Sequence, residues 1–170
     1  MKTIIWYWSL LCENSAKLTC EILNFNHWYI KWYTRIFNKI WYNPHIKKYN
    51  EDTSMLNIQK ENNNNVMIIS YFNVTDQDYK KIRLREWDYN EVEVDIYDLD
   101  KIKIWKWIIF ISKESVQYKG ENKQLLFTNL HPEQRYINIC LDAIKQTPYL
   151  QDFLDTTYMS CWKQKFKLDN

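Results

Sequence analysis

Only one glycine occurs in the 170 residues, Gly120, and that count limits the chemistry of the chain more than any other feature. Glycine supplies positive φ and lets backbone approach a ligand closely. Phosphate-cradling loops, dinucleotide fingerprints and strand-to-helix nucleophile turns all depend on it. P-loop, dinucleotide-binding and α/β-hydrolase chemistry are therefore excluded. Tight turns are expected on Asn and Asp, which tolerate the left-handed region best among the remaining residues. The 17 asparagines fit that need. The same bias runs through the composition: Ile, Lys, Asn, Tyr and Phe total 76 residues, whereas Ala, Gly, Pro and Arg total 10. It points to an A+T-rich gene, as in a low-GC bacterium, its phage or plasmid, or an organelle.

Nine tryptophans do not fit such drift. With 17% aromatic residues the chain carries more large rings than a domain of this size hides completely. Some are expected to line a groove or partner-binding face. The length suits one domain over 1–170. With 46% hydrophobic and 26% charged residues, it is globular in composition. A net charge of +2 is too balanced for a dedicated nucleic-acid wrapper. No apolar run reaches the roughly 18 residues of a membrane span.

Cys12, Cys20, Cys140 and Cys161 form no CxxC pair and no zinc-like cluster with histidine. Reduced thiols in a cytoplasmic protein, with no metal and no cofactor, are expected. Lys2 and the apolar stretch from Thr3 to Cys12 mimic a short secretory signal. That stretch is Trp-rich and lacks an A-x-A site, so a first strand or short helix is the preferred reading.

Leu18, Ile22, Phe25, Tyr29, Trp32, Ile36 and Ile40 recur every three or four residues, which predicts a long N-terminal helix ending at Asn43-Pro44. A mobile polar loop is expected over about 51–65. Val66 to Val74 reads as a buried strand. Alternation then predicts an antiparallel meander over about 66–127: Ile82 and Leu84 with Arg83 and Arg85, Val92 to Ile96 with Glu91 to Asp95, and Ile102 and Ile104 with Lys101 and Lys103. Its charged faces would run basic, acidic, basic, pairing opposite charges. Pro132 and Thr147-Pro148 open a C-terminal helix pair. The expected fold is α+β, a central antiparallel sheet with the N-terminal helix and the C-terminal pair packed on one face.

Lys31, Arg35 and Lys39 form an i, i+4, i+8 basic stripe on the expected helix, flanked by Trp28 and Trp32. Residues 1–50 hold seven positive and two negative charges. Interleaved cations and rings suit an acidic protein surface, single-stranded nucleic acid or an anionic membrane surface. The acidic protein needs the fewest further assumptions. The plainer alternative is the solvated face of an amphipathic helix. Glu121 and Lys123, some 20 residues after Asp98 and Asp100, outline the carboxylates and lysine of a metal-dependent nuclease. They fall at an expected turn, and the pattern is loose. His131 and Cys140 form a conceivable nucleophile pair, with a buried structural cysteine as the simpler reading.

These features favour a non-catalytic protein-binding module, such as a toxin-immunity protein or phage-encoded inhibitor, over an enzyme. A metal-dependent nuclease, a nucleic-acid-binding protein and a structural subunit of an organellar assembly stand as alternatives.

Overall fold

The computed structural model describes residues 1–7, 13–17, 20–43, 46–61, 65–145 and 147–159. Cys12, Leu18 and Cys161, used above, lie outside them. In chain order the elements are β1 (Lys2–Trp6), α1 (Glu13–Lys17), β2 (Leu23–Lys31), β3 (Tyr33–Asn43), β4 (Lys48–Lys60), β5 (Val66–Val74) and α2 (Asp76–Arg85). β6 (Tyr89–Tyr97), β7 (Lys103–Ser112), β8 (Ser115–Tyr118), β9 (Glu121–Gln124), β10 (His131–Pro132), α3 (Gln134–Lys145), α4 (Leu150–Asp155) and β11 (Thr157–Tyr158) follow.

Strands β1-β5-β2-β6-β7 close into a barrel, and β10-β4-β3-β11 form a second sheet, with β8-β9 a separate ribbon. The registers place Ile5, Tyr71 and Ile109 on one face, with Trp28 and Ile69, Ile30 and Ile96, and Val94 and Trp107 continuing it. That face is the barrel interior, because side chains on non-adjacent strands meet across it. Trp28 stacks on Trp107 with centroids 5.3 Å apart, and Tyr71 lies 4.8 Å from Trp107.

The expected α+β architecture is corrected at several points. Among the described residues the fold is mostly strand, and no long N-terminal helix occurs. The stretch expected to be helical is α1, β2 and β3. Trp32, at φ +63°, turns the chain between β2 and β3, and Tyr33 to Ile40 are then buried on both faces. Burial on both faces removes the alternation that marks a strand and lets a helical period be traced through it. The polar stretch expected as a loop over 51–65 carries β4 as far as Lys60. The 66–127 meander is interrupted by α2, whose Thr75 N-cap accepts from Asp78 N–H at 3.1 Å. Its Ile82 is buried and its Leu84 exposed.

Other expectations agree with the structure. β5 spans Val66–Val74. β6 and β7 pair antiparallel, with Lys103 Nζ 2.7 Å from Asp95 Oδ2. The C-terminal helix pair is present, but Pro132 lies on β10 and α3 opens at Gln134, while Tyr149 and not Thr147 precedes α4 as its N-cap. α3 buries Ile137, Cys140, Ala143 and Ile144. Gly120, at φ +86°, shares the β8–β9 turn with Lys119 at φ +53°, as a two-residue hairpin with positive φ at both positions requires. The remaining left-handed residues described are Asn24, Trp32, Lys47 and Lys101, so asparagine takes one of these positions and no aspartate does. Among the described residues no helix is long and apolar enough to cross a membrane.

Candidate active site

At the end of β1, the barrel, the second sheet and α3 meet around a group of buried polar side chains. β3 contributes Arg35 and Lys39, β6 contributes Tyr89, and α3 contributes Tyr136 and Cys140. Tyr7 follows β1, and Glu86 and Asp88 follow α2.

Arg35 is fully buried, and no carboxylate lies within ion-pair distance of it among the described residues. Its Nε donates to the Tyr7 carbonyl at 2.8 Å and one Nη to Thr156 Oγ1 at 2.9 Å, while the other Nη donates to the Ile68 carbonyl. The guanidinium carbon lies 4.8 Å from the Phe153 ring centroid. Desolvation lowers its pKa, and its ordinary value is high enough that it stays protonated. Thr156 caps the C-terminus of α4, where positive charge is favourable. Arg35 thus joins β1, β3, β5 and α4.

Lys39 and Asp88 form a second buried unit. Lys39 Nζ lies 2.8 Å from Asp88 Oδ2, with both side chains nearly inaccessible. Tyr49 donates to the same oxygen at 3.3 Å, and Lys39 Nζ stands 4.6 Å from the Tyr89 ring centroid. Burial and the Asp88 charge push the Tyr49 phenol far up.

Glu86 differs from both. It is 3% exposed and caps the C-terminus of α2, its N–H donating to the Ile82 carbonyl at 2.8 Å. A helix C-terminus disfavours negative charge. Arg85 Nε lies 3.1 Å from Glu86 Oε1, outside hydrogen-bonding geometry. That oxygen has no hydrogen-bond partner among the described residues. Burial raises its pKa and the Asp88 charge adds a little, against Arg85 and Lys39, leaving the carboxyl pushed up to about 7. Glu86 therefore exchanges its proton near neutral pH, as a general acid or base must. Around it, burial holds Tyr7, Tyr89 and Tyr136 well above the usual phenol range, with Glu86 raising the first two further. Burial likewise pushes the Cys140 thiol up to about 12. Cys140 is then a protonated structural thiol and not a nucleophile.

The expected basic stripe is not a surface. Arg35 and Lys39 are buried in the group just described. Lys31 Nζ lies 3.9 Å from the Tyr97 ring centroid, Trp28 is half-buried against Tyr71 and Trp107, and only Trp32 is exposed, at 41%. The nuclease outline does not assemble. Asp98 Oδ1 accepts from Ile102 N–H at 2.8 Å and closes the turn in which Asp100 lies, whereas Glu121 and Lys123 lie on the separate β8–β9 ribbon. Lys123 pairs there with Glu51. Among the described residues no three His, Cys, Asp or Glu side chains come together to hold a metal ion. His131 lies on β10 and is exposed.

Sequence reasoning missed Glu86, Tyr7 and Tyr89. One signal was available for Glu86. Arg83 and Arg85 suit the last turn of a helix capped at Thr75, and an acid placed directly after them contradicts that pattern.

A barrel beside a second sheet is an overall fold that this chain shares with solved structures. A solved structure described as gamma-glutamyl cyclotransferase matches with a TM-score of 0.64 and 11% identity over 89% of this chain and 83% of that one. A yeast gamma-glutamyl cyclotransferase specific to glutathione matches with a TM-score of 0.62 and 11% identity, over 91% of this chain and 94% of that one. YkqA from Bacillus subtilis matches with a TM-score of 0.59 and 12% identity, over 96% of this chain and 55% of that one. No family model matches the sequence, and no curated protein matches it. These likenesses establish the fold. They overturn the expectation of a non-catalytic binding module, because the fold is one that enzymes use, and they lend no support to an inhibitor or immunity protein.

Proposed function

We propose that this chain is an acid–base enzyme acting on a γ-glutamyl compound, with Glu86 as the group that takes and returns the proton. The observation that carries this reading is the Glu86 carboxyl, buried, short of one hydrogen-bond partner and pushed up to about 7. Buried carboxyls of this kind concentrate at sites of proton transfer. The fold shared with solved γ-glutamyl cyclotransferases supports the choice of substrate class.

Cyclotransfer closes the amine of a γ-glutamyl group onto its own γ-carbonyl carbon. A C–N bond forms, the original amide C–N bond breaks, and one proton must pass from the attacking nitrogen to the leaving one. Ionised Glu86 accepts that proton, and protonated Glu86 delivers it. A carboxyl of ordinary pKa would be a poor donor at neutral pH, which is the chemical use of its burial.

The test is turnover of glutathione and of a simple γ-glutamyl dipeptide by the purified chain, read as cyclised product by mass spectrometry. Glu86→Gln should lower the rate by about 10²–10⁴-fold, and the wild-type rate should rise as pH passes through about 7. Equal rates for the variant and wild type, or no turnover of either compound, would refute the proposal.

A further inference from the structure

Lys39 and Asp88 form an ion pair that stability does not explain. Removing two charges from water costs more than their attraction commonly returns, and a buried pair is often no better than an apolar one of equal volume. This pair is placed in the turn that carries Glu86. Asp88 is two residues beyond Glu86, the Tyr89 N–H donates to the Glu86 carbonyl at 3.0 Å, and the Lys113 N–H donates to the Asp88 carbonyl at 3.1 Å. Lys113 Nζ also donates to the Trp87 carbonyl at 2.7 Å. From the other side, Lys39 Nζ holds Asp88 Oδ2 and reaches the Ile40 carbonyl at 3.3 Å.

We propose that Lys39 and Asp88 are positioning residues for Glu86: the pair ties the Glu86–Tyr89 turn to β3 and balances the charge that this carboxyl faces. The inference rests on reading Glu86 as the working acid and base. Several titratable groups share that volume: Arg85 at the end of α2, Lys39 on β3, Asp88 in the turn, Tyr89 on β6, Tyr7 after β1, and Tyr136 on α3. Of these, Lys39 and Asp88 are the two buried groups of opposite charge that act on Glu86. Removing either leaves the other uncompensated beside it.

The experiment is a ¹³C-NMR titration of the side-chain carboxyls, with Glu86→Gln identifying the resonance of interest and circular dichroism confirming the fold of each variant. Asp88→Asn keeps the shape of the side chain and leaves Lys39 without its counter-charge, so the Glu86 midpoint should fall by about one pH unit. Lys39→Met should raise it by a similar amount, and the double variant should return it close to wild type. Each folded single variant is decisive alone. An unchanged midpoint, or shifts of the same sign in both, would overturn the proposal. A role confined to stability would lower the melting temperature without moving the midpoint. Because no substrate is used, the two failures are distinguishable: shifts without turnover of a γ-glutamyl compound refute the functional reading while the coupling of Lys39 and Asp88 to Glu86 stands, and turnover without shifts does the reverse.

Discussion

The barrel interior and the polar group at the end of β1 are both buried, yet they are built on opposite terms. The interior is closed by side chains such as Ile5, Ile30, Ile69, Ile96 and Ile109, all inaccessible, with Trp28, Tyr71 and Trp107 in mutual ring contact. Nothing in that set of isoleucines titrates, so pH leaves it alone. The polar group holds Arg35, Lys39, Glu86 and Asp88 at comparable burial. There, Arg35 is satisfied by three acceptors and Lys39 by Asp88, whereas one oxygen of Glu86 has only the Arg85 charge beside it and no hydrogen-bond partner among the described residues. Apolar burial makes the structure stable; a polar group left incompletely satisfied gives it something to do.

The contrast can be tested by substitution. The largest effect is expected at Arg35. Arg35→Met leaves the Tyr7 and Ile68 carbonyls and Thr156 Oγ1 without this donor. At about 1–3 kcal/mol for each of the three acceptors that loses this donor, unfolding in urea should show a loss of about 3–9 kcal/mol.

Glu86→Gln should have the opposite sign. The folded carboxyl is pushed up to about 7, above the unfolded value of about 4.3. The native state therefore holds a proton that the unfolded chain has released over that interval, and wild-type stability falls as pH rises across it. The variant lacks that fall. It should match wild type near pH 4 and exceed it by about 3–4 kcal/mol at pH 8, as read by thermal unfolding across the range. Equal stabilities at pH 8 would mean that Glu86 is as well solvated as an ordinary surface carboxyl, and the contrast between the regions would collapse.

The smallest effect is expected inside the barrel. Ile69→Val removes one methylene from a fully buried site, costing about 0.5–1.5 kcal/mol by denaturant unfolding. That loss should be the same at pH 5 and pH 8.

Legibility in the sequence followed how each strand is buried. β6 has a polar side, and its Val92, Val94 and Ile96 alternation was readable, as was the apolar run of β5. β3 was not readable. Arg35, Asn38 and Lys39 are charged or polar yet buried, and a cation four residues from another reads as the wet face of a helix. The partners that make such burial tolerable, the Tyr7, Ile68 and Ile40 carbonyls and Asp88, are 1 to 49 residues away. At α2 the error ran the other way. Ile82 and Leu84 between arginines resembled a strand, although Thr75 and Asp78 carried a helix-start signal. Once those residues are read as a strand, Glu86 is simply another exposed charge. The site was hidden because its two sources, β3 and the end of α2, were each assigned the wrong period.

Placing Glu86 at the last turn of α2 has a consequence for motion. The helix is ten residues long, and helix ends are where native proteins open most readily. Unwinding that one turn would release the Ile82 carbonyl and carry the carboxyl into water, where it becomes an acid of ordinary strength. The readiness of this protein to move a proton is thus bound to the lifetime of a single turn of helix. The hydrogen-exchange rate of the Glu86 amide, which is bonded to the Ile82 carbonyl, would report that lifetime directly, fast exchange marking frequent opening.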